Sequence, residues 1–436
     1  MLKKFIMNNN IRETYSIPSK PCNIGLFGFG VVGRGLFDIL RKHNPVNASI
    51  KTICTRSGNK NNETAFKNFT TNPNDILLDN SIDVVVELID DTDAAFEIVK
   101  QALRLRKPVI SANKKMIAAH LPELLALQHR YDTGLLYEGS CCAGIPIIRT
   151  LEDHYGNDRL CSIRGIVNGS TNYILTEMQQ HNSSFSSALK TAQLLGFAES
   201  DPALDVKGYD AANKLSILAL HALGIMVPAP GIIFSGIEQV TSSDIIFATK
   251  NSCSIRLVAQ AIELPGNRLA AFVLPQLVKD TDDLYYVTEE FNALTIESRL
   301  AGSHFLKGKG AGAFPTAAAV LADIAALQGR NRYAYKKLHQ KQKPELTNSY
   351  YLRVHINTDD TGKIANHDFD WLEPWQTENG NYRSQGLISA EKLLKSNWWK
   401  KQGVSLMADV QPVASDKAEK LQSAARTVKQ HEEILS

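Results

Sequence analysis

Three observations predict an α/β chain, with a doubly wound parallel sheet in its first part and an α+β layer after it. Up to about residue 150, short apolar runs alternate with amphipathic stretches, as parallel strands covered by crossover helices require. A glycine-rich turn follows directly on the first of those runs. Past residue 150 the order changes to consecutive helices and then consecutive strands, the arrangement of a sheet with helices on one face.

The first part reads as strands at 23–27, 49–55, 84–88, 108–110 and 135–137, each a short Val/Ile/Leu-rich run. Between them, 31–42, 94–105 and 115–129 place apolar residues at three- and four-residue intervals, the period of a helix with one buried face. The second part opens with helices at 172–180, 186–195 and 209–223, followed by strands at 255–261, 270–274, 284–287 and 293–297. Residues 302–312 read as a glycine-rich loop feeding a helix at 316–327. A charged connector, 335–348, marks a boundary, and beyond it 350–356 and 404–410 read as strands and 389–394 as a short helix.

At 436 residues the chain exceeds what one hydrophobic core usually organises, so two or three domains are expected. Lys and Arg number 48 against 45 Asp and Glu, a net charge of +3 that provides no basic field for nucleic acid, and small molecules are the expected partners. The longest apolar stretch, 215–234, is broken by His221, Gly224, Pro228 and Pro230, so no membrane span is predicted. Residues 1–21 carry no apolar core and no small-residue cleavage site, so no export signal is predicted either. Six cysteines without a C-x-x-C pair or zinc-type spacing read as reduced thiols in a cytoplasmic protein.

Gly28-Phe-Gly30-Val31-Val32-Gly33 places G-x-G-x-x-G between an apolar strand and an amphipathic helix. That setting supplies a tight turn, close backbone approach to a pyrophosphate and a helix N-terminus aimed at the anion, the fingerprint of a Rossmann-type dinucleotide site. The residue ending the second strand usually sets the cofactor, an acid binding the ribose hydroxyls and a base a 2′-phosphate; here Arg56 follows Thr55, which favours NADP and leaves NAD open.

Ser111-Ala-Asn113-Lys114 follows the strand at 108–110, so Lys114 stands at a carboxyl strand end where ligands of open α/β sheets bind; a solvated surface lysine is the plainer reading. Glu138 runs into a small-residue turn, Cys141-Cys-Ala143-Gly-Ile145, whose carbonyls suit a cation or, more plainly, a tight helix approach. Cys141 and Cys142 read as packing thiols, since no nearby base would activate them.

Glu199, Asp201, Asp205 and Asp210 cluster within one loop and helix start, which is costly by mutual repulsion unless a cation lies among them. Asp210 and Lys214 stand four apart, and an ordinary helix-surface ion pair would explain that spacing. The helix is otherwise apolar, however, through Ala211, Leu215, Leu218 and Ala219, so the pair opens onto a polar pocket or cleft, where a lysine beside acids can exchange a proton with a carbinol.

These segments, together with Gly144-Ile-Pro146, Gly165-Ile-Val-Asn168-Gly169-Ser170-Thr-Asn172-Tyr173, Asp201-Pro202 and Gly310-Ala-Gly312, occur in the order found in homoserine dehydrogenases, and the chain resembles that family over about 23–328. The resemblance implies NAD(P)-dependent interconversion of L-homoserine and L-aspartate 4-semialdehyde in threonine, methionine and isoleucine biosynthesis. It implies Lys214, Lys114 and Asp210 as catalytic residues, and Glu199, Asp205, Asp210, Gly169 and Ser170 as substrate contacts. Gly28, Gly30, Val31, Val32, Gly33, Arg56, Ser111, Lys114 and Gly312 would hold the cofactor. Glu138 with the carbonyls of Cys141, Ala143 and Ile145 would bind a monovalent cation, Na+.

The implied organisation is a dinucleotide-binding domain at 1–150, a catalytic and dimerisation domain at 151–335 with 310–335 packing back on the first, and a divergent ACT-like α+β region at 349–436. A homodimer or homotetramer is expected. The chain departs from the family pattern in three places: Asp90 and Asp91 replace glycines, Phe197 replaces a tyrosine of some members, and Asp360-Thr-Gly362 replaces a proline-glycine turn of ACT domains. Two rivals lie close by. Aspartate-semialdehyde dehydrogenase would need an activated cysteine nucleophile, and a non-catalytic NAD(P)-sensing regulator would have no use for paired lysines among acids.

Overall fold

The computed structural model describes residues 21–58, 66–228, 231–378, 380–409 and 412–414. The segment read for an export signal lies, apart from Pro21, outside these residues. The chain divides into two compact units, one of residues 1–144 with 312–333 and the other of 145–311 with 334–436.

In the first unit β1 (Cys22–Phe27), β2 (Ala48–Cys54), β3 (Phe69–Thr70), β4 (Val84–Glu87), β5 (Val109–Ser111) and β6 (Leu135–Leu136) form one sheet. Their order is β3-β2-β1-β4-β5-β6 and every pairing is parallel. This is the Rossmann order, whose reversal between β1 and β4 opens a crevice at the carboxyl ends of the strands. Helices α1 (Val31–Lys42), α2 (Asn74–Leu77), α3 (Thr92–Arg104) and α4 (Lys114–Tyr131) connect the strands. Ile24, Leu26, Val85, Val86 and Ile110 are fully buried, as strands covered on both faces demand. A late helix, Ala313–Gln328, completes the unit so close to α1 that a Cβ on Gly35 would lie 2.9 Å from the Ala313 carbonyl oxygen.

The second unit begins with α5 (Ile147–Arg149), β7 (Leu160–Ile166), α6 (Gly169–His181), α7 (Phe185–Leu194), α8 (Ala203–Val206) and α9 (Tyr209–Leu223). There follow β8 (Ile233–Phe234), α10 (Ser242–Lys250), β9 (Cys253–Leu264), β10 (Arg268–Lys279), β11 (Phe291–Ser298) and β12 (Gly302–Lys309). Ala313–Gln328, of the first unit, is α11. The tail adds β13 (Glu345–Leu346), β14 (Tyr350–Thr358), β15 (Phe369–Leu372), β16 (Gln376–Glu378), β17 (Asn381–Ser389), α12 (Ala390–Lys395), β18 (Val404–Ala408) and β19 (Val413–Ala414).

One mixed sheet runs β12-β11-β7-β9-β10-β18-β14-β17-β15. Its far end, β18-β14-β17-β15, is antiparallel throughout, with α12 between β17 and β18 and two short 3-10 turns between β14 and β15. That is the strand order of a ferredoxin-like βαββαβ unit whose first helix is reduced to single turns. Its core is Tyr350, Leu352, Val354 and Ile356 of β14 packed with Phe272, Leu274, Trp398 and Trp399.

Two sequence expectations are corrected here. Residues 284–287 are not a strand, because Asp283–Tyr286 is a 3-10 turn whose start is fixed by Asp282 Oδ1 accepting from Leu284 N–H. A four-residue apolar run carries no period that separates the two outcomes. Residues 302–309 are not a loop but the edge strand β12, paired to β11 along its full length after a turn at Gly302, φ +76°. Backbone pairing rather than an apolar face holds β12, so its mostly exposed side chains show no strand pattern. Strands β7, β15 and β17 were not anticipated from the sequence.

Candidate active site

At the carboxyl edge of the first unit's sheet the chain turns sharply from β1 into α1. Gly28 has φ +91° and its N–H donates to the Cys54 carbonyl at 3.0 Å, while a Cβ there would meet the Leu88 carbonyl oxygen at 2.6 Å, so only glycine fits. A Cβ on Gly33 would lie 2.5 Å from the Gly28 carbonyl oxygen, which is the close helix–strand approach the third glycine permits. Beside Gly30 the space is open, with nothing within 4 Å of a would-be Cβ. No side chain caps α1, leaving the first amides, from Val31 onward, at a bare positive helix end. These residues fit a dinucleotide pyrophosphate.

Three side chains at the adjoining strand ends are locked together. Glu87 ends β4 fully buried, its Oε2 accepting from Ser111 Oγ at 2.6 Å and its Oε1 from Ile89 N–H at 2.7 Å. Ser111 Oγ in turn accepts from Asn113 N–H at 3.1 Å, and Asn113 Nδ2 donates to the Ile89 carbonyl at 3.0 Å. Asn113 Oδ1 caps α4 through Met116 N–H, which fixes Lys114 in the first turn of that helix. Burial is the main influence on Glu87 and pushes its pKa up to about 7, against the two hydrogen bonds, while the charge of Asp90 adds to the rise. Sequence reasoning gives Glu87 no role. The available signal was an acid closing an all-valine parallel strand, where an unpartnered charge is expensive.

Arg56, in the turn after β2, holds Asp91 through Nη2 at 2.8 Å. Gly312 precedes α11 with φ +122°, also uncapped by any side chain. In the turn after β6, Glu138 is buried and its N–H donates to Asp323 Oδ2 at 2.9 Å, and Cys142 and Ala143 both take positive φ. Carboxylate and backbone carbonyl oxygens are the donor types that hard cations take. Glu138, Cys141 and Ala143 belong to the first unit and Ile145 to the second, where its carbonyl accepts from Ile147 N–H at 2.7 Å.

The second unit assembles the acids and the lysine around the end of β7. Lys214, on α9 and 6% exposed, donates through Nζ to the Val167 carbonyl at 2.6 Å and pairs with Asp210 Oδ2 at 2.8 Å. Asn168 Nδ2 donates to Asp210 Oδ2 at 2.8 Å and to Asp205 Oδ1 at 2.7 Å, while its Oδ1 caps α6 through Thr171 N–H at 2.9 Å. One amide thus fixes a helix start and two carboxylates. Asn168 is the organising residue that sequence reasoning left without a role; an Asn directly before Gly-Ser-Thr at a helix start was the signal.

Gly169 leaves no room for a side chain, its Cβ falling 2.6 Å from the Glu290 carbonyl oxygen. Ser170 Oγ donates to the Phe197 carbonyl at 2.6 Å, and the Phe197 ring packs against Tyr173 with centroids 4.7 Å apart. Asp205, Asp210, Lys214, Gly169 and Ser170 are therefore gathered at one place. Glu199 stands outside that bonded set, exposed in the loop after α7, with its carbonyl accepting from Gln193 Nε2 at 3.0 Å.

A buried lysine held by an aspartate in one unit and a glycine-turn dinucleotide site in the other are what an alcohol dehydrogenation needs. The family model described as "Homoserine dehydrogenase, NAD binding domain" matches residues 28–138, and the one described as "Homoserine dehydrogenase" matches 146–325. A homoserine dehydrogenase of Bacillus subtilis strain 168 is 34% identical over 367 residues, 79% of this chain and 84% of the relative. The chain belongs to the homoserine dehydrogenases.

A second homoserine dehydrogenase, from Helicobacter pylori, is 35% identical over 351 residues, 78% of this chain and 82% of its own length. The crystal structure of a homoserine dehydrogenase from Thiobacillus denitrificans matches with a TM-score of 0.77 and 27% identity, over 89% of this chain and 98% of that one. A hyperthermophilic archaeal homoserine dehydrogenase mutant in complex with NADPH matches with a TM-score of 0.62 and 27% identity, over 72% of this chain and 99% of that one. The chain is accordingly an NAD(P)-dependent oxidoreductase of the homoserine dehydrogenase type, interconverting L-homoserine and L-aspartate 4-semialdehyde. No described helix is long and apolar enough to cross a membrane.

Proposed function

We propose that Lys214 exchanges the substrate's hydroxyl proton and that Asp210 holds it for the task. The observation carrying this is the withdrawal of Lys214 Nζ from water at 2.8 Å from Asp210 Oδ2, on a helix otherwise apolar. A nicotinamide dinucleotide held at the first unit's glycine turn would supply the hydride acceptor in oxidation and the hydride donor in reduction. Lys214 takes the hydroxyl proton of homoserine in oxidation and returns it in reduction. Asn168 keeps Asp210 and Asp205 in register, Asp205 and Glu199 meet the substrate ammonium, Gly169 and Ser170 lie along the same substrate, and Lys114 positions substrate and cofactor.

Gly28, Gly30, Val31, Val32, Gly33, Ser111 and Gly312 hold the cofactor in this reading, and Arg56 favours NADP while NAD is accepted. Na+ is the cation held by Glu138 and the carbonyls of Cys141, Ala143 and Ile145. The enzyme works as a cytoplasmic homodimer or homotetramer; six cysteines without a C-x-x-C pair support a reducing compartment. The ferredoxin-like strand order of residues 350–408 supports an ACT-like regulatory role for the tail.

The test is Lys214→Ala, followed as NADPH oxidation with aspartate 4-semialdehyde. Loss of a proton-transfer group lowers kcat by about a hundredfold or more. Turnover near that of the parent enzyme removes the assignment.

A further inference from the structure

Asp91 follows the end of β4 at the carboxyl edge of the first unit's sheet. Its carboxylate has two partners in the first unit. Oδ1 accepts from Ala94 N–H at 3.0 Å and so caps α3, and Oδ2 accepts from Arg56 Nη2 at 2.8 Å. The backbone bond fixes the carboxylate, and the fixed carboxylate fixes the guanidinium. Among the described residues Asp91 is the one carboxylate paired with Arg56.

We infer that Asp91 is the cofactor-selectivity residue of this enzyme, acting through Arg56 to weaken the preference for a 2′-phosphate and bring NAD within reach. The inference rests on the reading that Arg56 faces the 2′ position of the adenosine ribose. An arginine there offers a forked set of N–H donors to a phosphate dianion. With one donor held by Asp91, the charge of Arg56 is partly answered before any ligand arrives, and fewer donors are left for a dianion. A ribose diol carries no charge that needs the guanidinium, so the same pairing leaves NAD unaffected.

The side chains of Arg56 and Asp91 are 84% and 41% exposed, so water screens the pair and the effect is modest. Asn caps a helix about as well as Asp, which makes Asp91→Asn a substitution that removes the charge and keeps the α3 cap.

The experiment measures kcat/KM for NADP and NAD in the parent enzyme, Asp91→Asn, Arg56→Ala and the double variant. We expect Asp91→Asn to raise the NADP-to-NAD ratio by about fivefold, mainly through KM for NADP, and to have no such effect when Arg56 is already alanine. An equal rise in both backgrounds means that Asp91 merely repels the phosphate, and this overturns the clamp. An unchanged ratio in Asp91→Asn, with NADP use impaired in Arg56→Ala, overturns the role of Asp91 alone. Unchanged NADP kinetics in Arg56→Ala overturn the underlying placement of Arg56 as well.

Discussion

Glu87 in the first unit and Asp210 in the second are both carboxyl groups withdrawn from water, 0% and 3% exposed, yet their neighbours differ in kind. Asp210 has a cation, Lys214, at 2.8 Å and a neutral amide donor, Asn168, on the same oxygen. Glu87 meets neutral donors, the Ser111 hydroxyl and the Ile89 amide, with the carboxylate of Asp90 nearby. Burial penalises the charged form of each. Where a lysine shares the site, the carboxyl group serves to hold that lysine; where only dipoles answer the burial, the proton is retained toward neutral pH. The substrate end therefore holds a carboxylate against its lysine, and the cofactor end a carboxyl group whose pKa is pushed up to about 7.

The difference is broken most severely from the Asp210 side. Asp210→Asn takes from the buried Lys214 the carboxylate 2.8 Å away, and breaking a buried pair from one side costs about 3 to 5 kcal/mol. The expected outcome is that loss in urea unfolding, together with a fall in kcat in both directions. A smaller effect comes from removing both charges. Asp210→Leu with Lys214→Met replaces the pair by apolar groups of similar size, so stability returns to within about 1 to 2 kcal/mol of the parent while turnover stays lost. If the double variant is as unstable as Asp210→Asn, the pair is structural in a way this comparison does not capture.

The two ends were also unequally legible in the sequence. The cofactor turn is contiguous: Gly28, Gly30 and Gly33 announce it because backbone sterics demand glycine at fixed offsets. Asp210 and Lys214 were legible as one helical turn. What tied them to Asp205 was not, because Asn168 reaches Asp205 and Asp210 across 37 and 42 residues, and pairings at that distance leave no local period.

Strand β12 escaped for the opposite reason, since an edge strand held through its backbone has no apolar face to show. The 3-10 turn Asp283–Tyr286 escaped because Leu284 and Val287 are buried whichever way so short a run is folded. Glu87 was visible as a residue but not as a site; its partner Ser111 lies on another strand, and only the parallel pairing of β4 with β5 brings them together.

The mildest perturbation, Glu87→Gln, addresses the other half of the comparison. The amide oxygen still accepts from Ile89 N–H, and the amide nitrogen meets Ser111 Oγ with the hydroxyl turned, so packing is kept while the proton equilibrium is removed. In the parent, the unfolded chain releases the Glu87 proton near pH 4.5, but the folded chain keeps it to about 7. Between those values the native state binds the extra proton, so this group's contribution to stability falls as pH rises through the window, by an amount on the order of 3 kcal/mol at most.

Any other titrating group contributes alike to parent and variant, and the difference between the two cancels it. Thermal midpoints taken at pH 5, 6, 7 and 8 should therefore show the parent losing ground to Glu87→Gln as pH increases, and the two curves running parallel above about pH 8. A difference that is flat from pH 5 to 8 would mean that Glu87 is ionised throughout, and that the Ser111 and Ile89 donors alone suffice to hold a buried charge at the cofactor edge.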